Sequence, residues 1–181
     1  MIEIIMGPMF AGKSSAIIGT IRRNDFINRK TLCVTHTIET RYSKEASIVT
    51  HDKESYPATA VQSLSELKTL SQYHSAECVI IEEAQFFTDL VEFVLYAAEV
   101  HNKHVICVGL DGDTQRKPFG QILDLIPYAD SVKKYTSLCS VCQDGTRGIF
   151  TSRKIPYDTQ ISVGGAEQYE TLCRKHYLEK N

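Results

Sequence analysis

The sequence predicts an α/β protein: a P-loop NTPase-type parallel sheet covered by helices, followed by a small C-terminal zinc-binding domain. Three observations carry that expectation. Short apolar runs rich in Val and Ile alternate with helical patterns, the first run leads directly into a glycine-lysine-serine loop, and the last quarter holds two spaced pairs of metal-ligating side chains.

The runs IEIIM (2–6), TLCVTHT (31–37), CVIIE (78–82) and HVICVGL (104–110) are apolar without alternation, as strands buried on both faces of a sheet are. Helices are expected over 14–28, over LSELKTLSQYH from Leu64, over 89–102, where Leu90, Phe93, Val94 and Ala97 recur at helical spacing, and over 120–129. Strands alternating with helices argue for a parallel sheet, and SVKKYTSL (131–138) reads as the strand that ends the layer. From about Cys139 the pattern changes: residues 143–168 hold Gly145, Gly148, Pro156, Gly164 and Gly165 with no sustained helical period. A loop this long needs a tether to be ordered. The expected division is a nucleotide-binding domain over 1–136 and a metal-clamped domain over 137–181.

With 181 residues, 43% of them apolar, and a net charge of −2, the composition suits a folded core. Residues 131–181 carry eight Lys/Arg against five Asp/Glu, too slight an excess for a nucleic-acid footprint. The opening MIEIIMGP is too short an apolar run for a signal peptide, and no run approaches the roughly 18 residues needed to span a bilayer. A cytoplasmic protein with no membrane and no nucleic-acid partner is therefore expected. Cys33, Cys78 and Cys107 lie in strand-like runs and read as small core residues.

GPMFAGKS, comprising Gly7, Pro8, Met9, Phe10, Ala11, Gly12, Lys13 and Ser14, fits the phosphate-loop pattern G-x-x-x-x-G-K-S, and it falls after a strand and before a helix. Glycines let backbone N–H groups face a polyphosphate, the helix start adds positive potential, Lys13 neutralises the terminal phosphates and Ser14 can ligate Mg2+. A plain glycine turn would leave the acids at the end of VIIEE unexplained. Ligands collect at the carboxyl ends of the strands in such a sheet, and an acid there holds the metal. Glu82 is the candidate for that role. Neighbouring residues on a strand point to opposite faces, so Glu83 is free to face an acceptor, or else simply supplies charge to the start of the following helix.

Cys139-x2-Cys142 and Cys173-x2-His176 stand thirty residues apart, and together they make a Cys3His set with no open position, suited to structural zinc. A redox C-x-x-C would sit at a helix start after a strand, and this one does not. The metal would clamp both ends of the long loop.

With the phosphate loop, EEAQFF, LDGDTQRKPFG and the cysteine pairs in view, the chain resembles the type II thymidine kinase family, whose members pair a P-loop core with a zinc-bearing lasso. The resemblance implies ATP as phosphoryl donor, Mg2+, structural Zn2+, and thymidine or deoxyuridine as acceptor. It also implies homotetramers and thymidine triphosphate as a feedback inhibitor. The family's GPMFSGKS corresponds to Gly7–Ser14, with Ala11 for Ser. Its DEGQFF corresponds to Glu82–Phe87, so Glu83 takes the place of the catalytic base, Phe86 that of the ring stacked on thymine, and Gln85 falls among the nucleotide contacts. Glu82 replaces an aspartate at the metal, and Glu39, Thr40 and Arg41 match a D-T-R segment near the phosphates. Leu110 is kept from the base-lining LDGTFQRKPF, whereas Thr114 stands where the family has phenylalanine, which removes an aromatic wall. Main-chain groups of Gln160, Ile161, Ser162, Val163 and Gly164 are implied to read the base, and Tyr169 to reach the nucleoside. Met9, Leu110, Thr151 and Tyr169 match the lining of the 5-methyl pocket, though each also suits ordinary packing.

Two other classes of protein share part of this pattern. A GTP-binding switch would share the phosphate loop but needs N-K-x-D, and NKHV at Asn102 lacks the aspartate. A nucleic-acid-binding ATPase would need a basic stripe that the charge balance does not provide.

Overall fold

The computed structural model describes residues 1–38, 47–49, 55–154 and 164–180. The expected positions Glu39, Thr40 and Arg41, and Gln160 to Val163, lie outside the described residues.

Six strands build one parallel sheet: β1 (Ile2–Met6), β2 (Thr31–His36), β5 (Thr59–Val61), β6 (Cys78–Ile81), β7 (His104–Gly109) and β8 (Ser131–Lys134). Their order is β5-β2-β6-β7-β1-β8, and every pairing is parallel. The strand numbers β3 (Ser47–Val49) and β4 (Ser55–Pro57) belong to a separate antiparallel pair. The four central strands are the four non-alternating runs, and β6 and β7 are buried at every position. A strand with helices on both faces has no side left for water, which is why its sequence has no polar alternation.

One face packs around Ile4, Val34, Ile81, Phe87, Leu90 and Phe93; the other packs α1 (Lys13–Phe26) through Ile17 and Ile21 onto Ile5, Ile80 and Val108. On the first face the expected helices are more broken than their periodicity suggested. From Leu64 a 3₁₀ turn runs to Thr69, and a short helix α2 (Ser71–Ser75) follows. Ser63 and Glu66 make a reciprocal cap at the start of the turn. Asp89 reinforces it, accepting from Ser63 Oγ at 2.6 Å and from the N–H groups of Ser65 and Leu64 at 2.9 and 3.2 Å. Those bonds hold the Asp89 carboxyl below its ordinary range despite the opposing effect of burial, the largest single contribution.

The helix expected over 89–102 starts as α3 (Leu90–Leu95) and widens into a π-helical turn over Tyr96–Val100. Residues 122–128 form 3₁₀ structure rather than an α-helix, with Pro127 inside it lacking the N–H a longer helix would need. The run 131–138 does not form one strand either. It leaves the sheet after Lys134, and Ser137–Leu138 becomes β9, paired antiparallel with β10 (Arg147–Gly148). β11 (Phe150–Arg153) and β12 (Tyr169–Leu172) form a second small ribbon, and α4 (Arg174–Lys180) closes the described chain. Cys139, Leu172, Cys173 and Tyr177 make a separate apolar cluster there.

Candidate active site and metal centre

The carboxyl ends of β1 and β6 meet at one cleft. Gly7 leaves β1 at φ 151°, and a Cβ there would stand 2.4 Å from the Tyr135 carbonyl oxygen, so both the conformation and the space exclude a side chain. The loop then turns through Phe10 at φ 59° and Gly12 at φ 79° into the first turn of α1. Lys13 folds back over the loop and donates to the carbonyls of Pro8 at 2.7 Å and Gly7 at 3.2 Å. Burial pushes its ammonium below the usual range, and Glu83, Glu82 and Asp111 oppose that shift. An amine held this way is compensated electrostatically by an anion entering the loop.

At the helix start Ser14 Oγ donates to Glu82 Oε1 at 2.9 Å. A hydroxyl and a carboxylate paired beside a phosphate loop are hard oxygen donors, the set that Mg2+ takes, and the extra methylene of Glu82 does not keep it from Ser14. Glu83 follows at φ 52°, a left-handed conformation uncommon for a residue with a side chain. This turn sends Glu83 into the cleft. About 240 Å³ of space is lined by the loop from Met9 to Ser15 together with Glu83, Leu110 and Gly165.

Gln85 is not part of that lining. Its side chain is only 3% exposed, and its amide serves protein groups: Nε2 donates to Glu83 Oε2, and Oε1 accepts from the Leu110 N–H at 3.0 Å. Phe86 is half-buried, edge-on to Phe119 at 5.6 Å and 6.0 Å from the His36 ring. Thr151 is buried and accepts a hydrogen bond from the Met9 N–H at 3.0 Å, joining β11 to the phosphate loop. Pro8 and Thr151 share a second cleft of about 220 Å³ with Asp111, Arg116 and Phe150. Tyr169 is buried on β12, with the Arg153 guanidinium 5.9 Å from its ring centre. Thr114 is half-buried, and its carbonyl accepts from Tyr177 Oη at 2.7 Å. Arg116 lies over the rings of Tyr177 and Phe150 at 4.8 and 5.5 Å. Sequence reasoning missed this docking of α4 on the Thr114 loop, because nothing local in RKPFG signals a partner sixty residues away.

The four metal candidates converge. His176 Nδ1 lies 3.6, 3.3 and 3.4 Å from the sulfurs of Cys139, Cys142 and Cys173, Cys142 and Cys173 are 3.9 Å apart, and all four atoms lie within 4.8 Å of one another. A tetrahedral zinc with bonds of about 2.3 Å to sulfur and about 2.0 Å to nitrogen requires edges of about 3.5 to 3.8 Å, which the three sulfur–nitrogen distances and the Cys142–Cys173 distance match. Burial works against the Cys139 thiolate, but N–H groups of Cys142 and Cys173 and the His176 ring bring that thiol down to about 6. Cys142 is pushed up to about 11 by burial and by its Cys139 and Cys173 neighbours. Crowded sulfurs of this kind ionise together only around a cation.

A parallel sheet with a glycine-lysine-serine loop off its first strand and acids at the end of β6 defines a P-loop nucleotide-binding protein. Comparison with known proteins gives the particular family. The family model for thymidine kinase matches residues 1–177. The chain is 42% identical to thymidine kinase a of Arabidopsis thaliana over 98% of this chain and 74% of that protein. It is 39% identical to the cytosolic thymidine kinase of Homo sapiens over 99% and 74%, and 38% identical to the thymidine kinase of Yaba monkey tumor virus (strain VR587) over 99% and 96%. The chain belongs to the thymidine kinase family, whose members are nucleoside kinases. Among the described residues no helix is long and apolar enough to cross a membrane.

Proposed function

We propose that the chain transfers the γ-phosphoryl group of ATP to the 5′-hydroxyl of thymidine or deoxyuridine. The observation that carries this reading is the shared cleft, in which Glu83 faces the same space as the phosphate loop from Met9 to Ser15. Phosphoryl transfer asks little covalent chemistry of a protein: an aligned acceptor, a base near its proton and compensation of charge.

Backbone N–H groups of the loop and Lys13 hold the triphosphate, and Ser14 and Glu82 would hold Mg2+, which supplies charge neutralisation between the transferred and leaving groups. Glu83 takes the acceptor's hydroxyl proton as its oxygen attacks. Arg41, with Glu39 and Thr40, adds charge near the phosphates. Phe86, Leu110, Thr114, Thr151 and Tyr169, with Met9 beneath, enclose the nucleoside, and the main chain from Gln160 to Gly164 reads the base edge. Residues 137–181 act as a lasso domain clamped by zinc over the core at 1–136. Homotetramer assembly, feedback inhibition by thymidine triphosphate and a cytoplasmic location complete the reading; the human relative is named cytosolic.

The test is direct: purified protein with ATP, Mg2+ and a panel of nucleosides, products separated by chromatography. Thymidine or deoxyuridine monophosphate should form in preference to purine nucleotides. ATP hydrolysis with no phosphorylated nucleoside would refute the proposal.

A further inference from the structure

We infer that Gln85 is a positioning residue that ties the Glu83 carboxylate to the backbone of Leu110, so that base and acceptor wall keep a fixed relation; this rests on the phosphoryl-transfer reading above.

The orientation of the Gln85 amide is determined by its neighbours. Leu110 presents an N–H, which only an oxygen can accept, so Oε1 must face Leu110 and the two Nε2 hydrogens must face away from it, one of them toward Glu83 Oε2. A flipped amide would set N–H against N–H on one side and oxygen against carboxylate on the other. The burial of Gln85 leaves no solvent to repair that arrangement.

The fold also makes room for this residue at two points. A Cβ on Gly109 would approach Gln85 Oε1 to 2.3 Å, and one on Gly120, at φ 60°, would approach the Gln85 carbonyl oxygen to 2.1 Å. Both are glycines, and the second also needs glycine's freedom for its left-handed turn. Glu83 itself sits at φ 52°, a conformation that persists only when its surroundings over-determine it. A buried amide gripping the carboxylate two residues back supplies part of that constraint. Leu110 and Glu83 both line the cleft, so one side chain spans from the proposed base to a wall of the acceptor space.

Gln85→Met and Gln85→Glu, each alone and the first combined with Glu83→Gln, test the assignment in the full chain with ATP, Mg2+ and thymidine. Gln85→Met should lower kcat by about 100-fold, the scale of a roughly 1 Å misplacement of a reacting group, with KM for both substrates within about threefold of wild type. In the Glu83→Gln background Gln85→Met should cost almost nothing further, because the residue acts through the carboxylate already removed. Gln85→Glu keeps the shape and an oxygen for Leu110 but sets two carboxylates together. They share a proton, and the acid side of the kcat profile moves to higher pH. That isosteric variant carries the test if the Met variant does not fold. Wild-type kcat in Gln85→Met, an additive further loss in the double variant, or an unmoved profile in Gln85→Glu would each overturn the assignment while leaving the kinase reading intact. No thymidine turnover by the wild-type chain would overturn both.

Discussion

Replacing Thr151 with Val exchanges a hydroxyl for a methyl at a site only 4% exposed, and it takes away the acceptor that holds the Met9 N–H at 3.0 Å. The shape of the side chain is kept, so no cavity forms and the loss is that of one polar partner. A buried donor left unpaired costs about 1 to 3 kcal/mol, and because Met9 is only half-buried the lower part of that range applies, about 1 to 2 kcal/mol. For a chain of this size each kcal/mol moves the melting temperature by about 2 to 4 °C, which predicts a fall of about 2 to 8 °C. The bond also fixes the phosphate loop, and a loop that must be ordered again on binding should weaken a non-hydrolysable ATP analogue by up to about tenfold, equivalent to about 1.4 kcal/mol. Calorimetric melting and analogue titration measure the two effects, and Thr151→Ser, which keeps the oxygen, should restore both. Melting within a degree of wild type and unchanged analogue affinity in Thr151→Val would show that the hydrogen bond contributes nothing and that the reasoning is wrong.

Chelation of zinc, or Cys173→Ser, should release the cluster around Cys139, Leu172 and Tyr177 while the six-stranded sheet persists; hydrogen exchange should rise in β9 to β12 and stay low in β6 and β7, with bound zinc near one ion per chain by elemental analysis. The Asp89 carboxyl is depressed in the folded state, so its contribution is present above the unfolded-state pKa of about 3.9 and disappears as pH falls through the lower folded value. Asp89→Asn should flatten that acid-side loss in urea midpoints measured between about pH 5 and pH 2, and a profile parallel to wild type would count against the cap. Thr114→Phe places an aromatic side chain at the proposed acceptor wall and should lower KM for thymidine by about tenfold if roughly half of a phenyl ring becomes buried there; an unchanged or raised KM would place that side chain outside the nucleoside space.

The sheet was legible because burial on both faces leaves a direct mark on sequence, a non-alternating aliphatic run, and all four such runs became central strands. The edge strand β5 was not, since TAV is too short and too mixed to differ from a loop, and its strand identity comes only from its pairing with β2. Helical periodicity located Leu64, Leu90, Phe93 and Val94 correctly as core residues but could not distinguish α from 3₁₀ or π geometry, because all of them turn an apolar face inward. In the site, the phosphate loop and the cysteine pairs were readable because their chemistry demands fixed spacing. The amide of Gln85 and the hydroxyl of Thr151 were not: their partners, Leu110 and Met9, are 25 and 142 positions distant, and a lone polar residue in sequence does not reveal whether it will be buried.

The bond from Tyr177 Oη to the Thr114 carbonyl spans 63 positions, and Lys180 donates to the Arg153 carbonyl at 2.6 Å from the same helix. The Thr114 loop is therefore buttressed by a helix that leaves the ribosome about sixty residues after it. The six-stranded sheet is complete in sequence by Lys134, well before the Thr114 loop has its brace. Substitutions that loosen this helix would, on the kinase reading proposed above, register first as poor acceptor capture and only later as instability.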